Sequence, residues 1–149
     1  MMEKTDELLK LSNQICFPLY ACGKEIVRKY KPFLDEFDLT YTQYIVLLVL
    51  WENDHLSVKD IGEKLYLDSG TLTPLLNKLE AKGLINKDKD KEDGRGLIIS
   101  LTDKGHALKK DIISVPQSIS KCVNLTEEEA ITLYRLLYKT LGGFADDND

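Results

Sequence analysis

Apolar residues recur along most of the chain at the three- and four-residue steps of an amphipathic helix. Leu8, Leu9, Ile15, Leu19, Ile26 and Val27 predict a long helix over residues 6–31, ending before Pro32. Pro18 lies inside it and lacks a backbone donor, which predicts a kink or a fresh turn beside Cys16. Residues 34–39 read as a short connector. Thr40 with Gln43 is a capping box opening a helix from Tyr44 to Trp51, apolar on nearly every side and so the expected central core element. Ser57 with Asp60 caps a short helix carrying Val58, Ile61 and Leu65. Asp68 or Ser69 caps the next one, whose buried stripe is Leu72, Leu75, Leu76 and Leu79; Gly83 ends it at a positive φ.

Beyond Gly83 the pattern turns β-favouring. Leu84-Ile85 and Leu97 to Leu101 flank a charged tip over residues 87–96, which predicts a hairpin. Thr102 or Asp103 then caps a helix to about Val115, where Pro116 bends or breaks it. Thr126 with Glu129 caps a last helix carrying Ile131, Leu133, Leu136, Leu137, Tyr138 and Leu141. Gly142-Gly143 stops it, leaving an acidic tail from Ala145. The fold class is mainly α with a small β-wing, a winged helix-turn-helix over residues 40–101. The second helix of the pair turns Ser69, Thr71, Thr73, Asn77 and Lys78 outward, a face of small hydroxyls, amide and lysine that suits base edges and phosphates in a major groove. An arginine at the wing tip, Arg95, is placed to reach the adjacent minor groove. The plainer alternative is a helix pair and hairpin that serve packing alone.

The terminal helices, residues 5–39 and 102–144, carry more apolar surface than one small winged module can cover. A symmetric homodimer would bury it and set two winged modules on one two-fold axis, to read a pseudo-palindromic operator in double-stranded DNA. A net charge of −5 counts mildly against nucleic acid, because phosphate neutralisation drives non-specific binding. Lys78, Lys82, Lys87, Lys89, Lys91 and Arg95 nevertheless fall on one surface of the winged reading. At 43% hydrophobic and 30% charged residues the chain can build a core, and no run approaches a membrane span. The N-terminal residues lack the basic-then-apolar order of a signal peptide, so a cytoplasmic location is expected. Three cysteines without close-spaced pairs exclude a disulfide framework and give no zinc spacing. His55 and His106 read as solvated loop and helix-start residues, and no metal centre is predicted.

Long helix, core helix, helix-turn-helix, wing and two C-terminal helices together resemble the MarR family of transcriptional regulators over essentially the whole chain. The run Leu67-Asp68-Ser69-Gly70-Thr71-Leu72-Thr73-Pro74-Leu75-Leu76 is similar to that family's recognition helix, and Asp93-Gly94-Arg95 to its wing tip. The glycine on each side of Arg95 departs from the family pattern and predicts a looser wing. More narrowly, Asn13-Gln14-Ile15-Cys16-Phe17-Pro18-Leu19-Tyr20, Tyr30-Lys31-Pro32 and Leu39-Thr40-Tyr41-Thr42-Gln43-Tyr44 resemble the organic-hydroperoxide-sensing (OhrR-type) branch. The resemblance implies a dimeric DNA-binding repressor, not an enzyme and without cofactor, whose Cys16 is oxidised by an organic hydroperoxide. It also implies that Tyr30 and Tyr41 reach the thiolate from the partner subunit, and that Cys122 is the candidate resolving cysteine of a two-cysteine member.

The residues carry their own chemistry for this. A thiolate is the nucleophile toward peroxide. Cys16 near a helix start gains from the macrodipole, and hydroxyls from Tyr20, Tyr30 or Tyr41 would stabilise the anion by hydrogen bonds. Phe17, Leu19 and Leu47 would favour an organic peroxide over hydrogen peroxide. Read by itself, Cys16 is better taken as a small buried hydrophobe, the usual fate of a free cysteine, and only the resemblance turns it into a sensor; Cys22 reads as a packing residue. Three other functions compete: a MarR-type repressor relieved by a phenolic or aromatic ligand with Cys16 structural, a thiol peroxidase, and a winged-helix protein that binds only proteins.

Overall fold

The computed structural model describes residues 2–146, with side chains over residues 5–144. Helix α1 (Met2–Leu8) and a 3₁₀ turn (Leu11–Asn13) precede α2 (Cys16–Asp35). The single helix expected over residues 6–31 is therefore broken. Pro18 sits in the first turn of α2, where a missing N–H leaves no intrahelical bond unmade, so the helix restarts just ahead of it. At its other end α2 does not stop before Pro32. Leu34 is buried and Phe33 packs on the core, and that burial carries the helix past the proline.

Helix α3 (Tyr41–Glu52) is the expected core element. The Gln43 N–H donates to Thr40 Oγ1 at 3.3 Å and the Thr40 N–H to Gln43 Oε1 at 3.1 Å, while Val46, Leu47 and Leu50 are buried. A two-residue strand β1 (Leu56–Ser57), too short to show a period in sequence, leads into α4 (Val58–Leu65). Ser57 and Asp60 close the capping box, and Tyr66 turns the chain at φ +55°. Asp68 caps α5 (Ser69–Ala81) by accepting from the Thr71 N–H at 2.7 Å. Gly83, at φ +71°, ends it in a Schellman motif: Leu84 N–H to Leu79 O at 3.1 Å and Gly83 N–H to Glu80 O at 2.8 Å.

Strands β2 (Ile85–Lys89) and β3 (Leu97–Leu101) pair antiparallel from Ile85↔Leu101 to Lys89↔Leu97, and β1 adds to the far edge of β3 in the order β1-β3-β2. Pairing thus extends into the stretch read as charged tip, which shrinks to residues 90–96. Helices α6 (Asp103–Asp111) and α7 (Ser114–Ser120) follow, the first capped by Thr102. The break falls at Ile112–Ile113, ahead of the expected site: Ile112 and Val115 both turn into the core, and Pro116 lies harmlessly in the first turn of α7. Helix α8 (Glu127–Asp146) is capped by Thr126 and Glu129 and runs through Gly142-Gly143 instead of stopping there. A glycine weakens a helix by about 1 kcal/mol without ending it. Of the predicted tail, residues 145–146 are helical and 147–149 lie outside the described residues.

The core gathers α2's end, α3, α4, α5, the sheet, α6 and α7 around Leu47, Leu50, Ile61, Leu79 and Ile99. The two arms stand outside it. Every described side chain of α1 is exposed, as is every one of α8 except Leu141. None of the described helices is long and apolar enough to cross a membrane. One close approach sets how α6 docks. A Cβ on Gly105 would stand 2.2 Å from Leu84 O and 3.1 Å from Leu101 Cδ2, and the Gly105 carbonyl accepts from Trp51 Nε1 at 3.0 Å. Replacing Gly105 by alanine is expected to cost about 3 kcal/mol by overpacking, a fall in Tm of roughly 10 °C. Calorimetry reads it, and an unchanged Tm would contradict the docking of α6 on Leu84.

Candidate nucleic-acid interface and thiol site

Helix α5 buries Leu72, Leu76 and Leu79, with Leu75 half-buried, and leaves Ser69, Thr71, Thr73, Asn77 and Lys78 exposed together on its outer face. The Thr73 hydroxyl donates to Ser69 O at 2.7 Å, so its lone pairs point outward. Lys87 differs from the sequence reading of a free surface cation. It is drawn against α5, its Nζ donating to Asn77 Oδ1 and standing 3.1 Å from Glu80 Oε2. Lys82 likewise turns inward, binding Asp38 through its backbone oxygen and carboxylate and Gln43 Oε1 at 3.2 Å. The basic surface is smaller than expected, resting on Lys78, Lys89, Lys91 and Arg95.

Asp93 and Arg95 are exposed at the wing tip. Three hydrogen bonds close the tip: Asp90 N–H donates to Gly96 O at 2.9 Å, Gly94 N–H to Asp90 O at 2.8 Å, and Glu92 N–H to Asp90 Oδ1 at 2.9 Å. Gly94 takes φ +66°, open to glycine at little cost. The wing's base is pinned by Asp54, whose Oδ1 accepts from Leu101 N–H at 2.9 Å. His106 Nε2 lies 3.2 Å and His55 Nδ1 3.6 Å from Asp54 Oδ2, and both rings are exposed, as expected of loop and helix-start residues. Among the described residues no group of three or more His, Cys, Asp or Glu is placed to hold a metal.

Cys16 is the first residue of α2 and exposed, with Tyr20 exposed one turn on. Tyr30 and Tyr41 pack at 4.9 Å between ring centroids, and Tyr44 completes a trio at 5.8 and 6.4 Å from them. Sequence reasoning missed Tyr44; its place one turn beyond Tyr41 on α3 is the signal that finds it. Burial pushes the phenols of Tyr30 and Tyr41 upward, Tyr41 adding to the rise at Tyr30. Burial, with Tyr30 and Tyr41 nearby, carries Tyr44 to about 12. All three hydroxyls therefore keep their protons at neutral pH and can donate. Fourteen residues of helix separate Cys16 from Tyr30, about 21 Å of rise. Within one chain that sulfur and those tyrosines do not meet. Cys22 and Cys122 are exposed as well, so the packing role read for Cys22 is absent from the single chain; Cys122 follows α7, its Sγ 3.5 Å from Ser118 O. A half-open pocket of about 170 Å³ lies beside Tyr44, walled by Leu48, Trp51, Ile112, Ile113 and Pro116 with Glu52 and Lys109 at its rim.

A helix-turn-helix with a hairpin wing closing a three-stranded sheet, and a polar outer face on its second helix, is a winged-helix transcription regulator fold. Residues 28–112 match the family model of the transcriptional regulators SarA/Rot. The chain is 45% identical over 140 residues to the organic hydroperoxide resistance transcriptional regulator of Bacillus subtilis, covering 94% of this chain and 95% of that one. Reduced AbfR bound to DNA superposes with a TM-score of 0.78 at 34% identity, over 95% of this chain and 99% of AbfR. Disulfide-formed AbfR gives 0.67 at 33% identity, over 97% and 99%. The chain belongs to the MarR/SarA family of transcriptional regulators, in the branch of the organic hydroperoxide regulators.

Proposed function

We propose that the chain is a homodimeric repressor that holds a pseudo-palindromic operator in double-stranded DNA while Cys16 is reduced, and lets go when an organic hydroperoxide oxidises it. The observation that carries this reading is the separation of Cys16 from the tyrosine trio. An exposed sulfur opens an apolar arm, and Tyr30, packed with Tyr41 and Tyr44, lies about 21 Å of helix rise further along α2 on the same subunit. A two-fold partner brings the two together, as it covers α1, the first half of α2 and α8. Residues 5–39 and 102–144 then form the dimer and residues 40–101 the reading head. Ser69, Thr71, Thr73, Asn77 and Lys78 enter the major groove, with Asp93 and Arg95 at the wing.

The chemistry is stoichiometric. The Cys16 thiolate attacks the distal peroxide oxygen, the O–O bond breaks, and sulfur is oxidised to sulfenic acid while the peroxide's other oxygen leaves as an alkoxide that takes up a proton to give the alcohol. A thiol then displaces hydroxide from the sulfenic sulfur, giving a disulfide and water; Cys122 of the other subunit is the partner proposed here. Loss of the anion removes what the tyrosine hydroxyls were bonded to, and a cross-subunit disulfide drags α2. The distance between the two α5 helices changes and two-site binding is lost. Intact mass after brief cumene hydroperoxide treatment tests the scheme. The expected product without reductant is a species of twice 17.0 kDa linked through Cys16, returning to 17.0 kDa with reductant. Unmodified Cys16 would refute it.

The pocket at Tyr44 favours a second reading, since its apolar floor and the Lys109 ammonium at its rim suit a small aromatic acid. Under it a small aromatic ligand releases the operator and Cys16 is structural.

A further inference from the structure

Lysine carries only donors, so the Asn77 atom it faces must be the amide oxygen. That one contact orients the whole amide. With Oδ1 turned to Lys87 at the wing, Nδ2 and its two protons project from the outer face of α5, in line with Ser69 and Thr73 at four-residue steps. The second lone pair of Oδ1 lies beside the ammonium, where a further N–H donor meets charge of its own sign. Glu80, one turn on, holds Lys87 from the other side at 3.1 Å and neutralises it. Lys87 is largely covered, its side chain 18% exposed, whereas Asn77 is open.

We infer that Lys87 is a positioning residue and not a phosphate ligand: together with Glu80 it presents Asn77 to the groove as a donor alone. The inference rests on the reading that α5 enters DNA. An unrestrained asparagine pairs with adenine through both ends of its amide, accepting from N6 and donating to N7. Held as it is here, Asn77 selects a base edge made of acceptors, guanine N7 and O6 or thymine O4, and rejects the cytosine amino group. The strut also ties β2 to α5, so wing and recognition helix move as one piece and the choice of base does not depend on how the wing lies.

The test uses the full-length reduced protein and a library of duplexes with a randomised core. The decisive variant is K87M/E80Q, which removes the ion pair, keeps the aliphatic stem of residue 87 and leaves net charge unchanged. The unmutated protein is expected to prefer guanine or thymine over cytosine by about tenfold at one base pair of each half-site. In K87M/E80Q that preference falls to about threefold or less at the same base pair, while the slope of log affinity against log salt stays as it was. N77A flattens the same position, and adding K87M/E80Q to N77A changes it no further. A slope lower by about one marks Lys87 as an ordinary phosphate contact and overturns the proposal. So does an unchanged base preference in either variant; N77A alters an exposed helix residue and keeps the test open should the double variant fold poorly. If the unmutated protein enriches no sequence from the library, the DNA reading falls and takes this inference with it, an outcome distinct from binding with an altered slope.

Discussion

With Cys16 replaced by serine, the reduced-state affinity for operator DNA is expected to stay within about threefold of the unmutated protein, and release by cumene hydroperoxide to disappear. The unmutated protein should lose between about 5- and 150-fold in affinity on the same treatment, the usual span of coupling between two sites. A serine hydroxyl at the first position of α2 fills nearly the same space as the thiol. It does not ionise near neutral pH and forms no sulfenic acid, so the oxidant has nothing to act on. Cys16 lies far from α5 and touches no part of the winged core, which is why basal binding survives. Fluorescence anisotropy of a labelled duplex, titrated with and without oxidant, measures both numbers. Cys122→Ser separates the two chemical steps: Cys16 still gains oxygen, but the species of doubled mass does not form. Should Cys16→Ser still release on oxidant while the unmutated protein also releases with an aromatic acid, the cavity at Tyr44 is the sensor and the thiol is not.

Features that close within four residues were legible in the sequence. The boxes at Thr40 and Gln43, Ser57 and Asp60, and Thr126 and Glu129, and the cap at Asp68, each satisfy helix-end donors with a side chain a turn away, so residue type and spacing suffice. Features that depend on distant burial were not. Pro32 reads as a stop, and burial of Leu34 overrides it. Two glycines read as an end, yet α8 passes through them. Lys82 and Lys87 read as members of a basic face because nothing local shows that Asp38 and Gln43, or Asn77 and Glu80, lie in reach. Asp54 belongs to the same class, 47 residues from the backbone donor of Leu101 that it holds. The candidate thiol site divides in the same way. Cys16 at a helix start follows from Pro18 nearby, and the Tyr30–Tyr41 pair follows from the family pattern. That these groups lie on opposite ends of α2 emerges only when the helix is drawn out, and it turns two local motifs into a statement about two subunits.

The second large effect concerns α8. Leu133, Leu137 and Leu141 recur along it with Tyr134, at helical spacing over about two turns, and all but Leu141 are exposed in the single chain. A two-fold partner would bury those exposed side chains. Leu137→Glu puts a carboxylate in the middle of the stripe, and two-fold symmetry puts a second one in the same contact. An unpaired buried charge costs several kcal/mol. The expected result is a monomer near 17.0 kDa by sedimentation equilibrium, where the unmutated protein gives twice that mass. Operator affinity should fall by about a hundredfold or more, because each half-site then binds without the effective concentration its linked neighbour supplies. The winged core should keep its helical signal and its Tm, since α8 lies outside it. Lys139→Gln, a change on the same helix two residues away but away from the apolar stripe, should alter neither mass nor affinity. A variant Leu137→Glu that stays dimeric and binds as before would mean that α8 faces solvent in the assembled protein, and the partner's tyrosines would then have no route to Cys16.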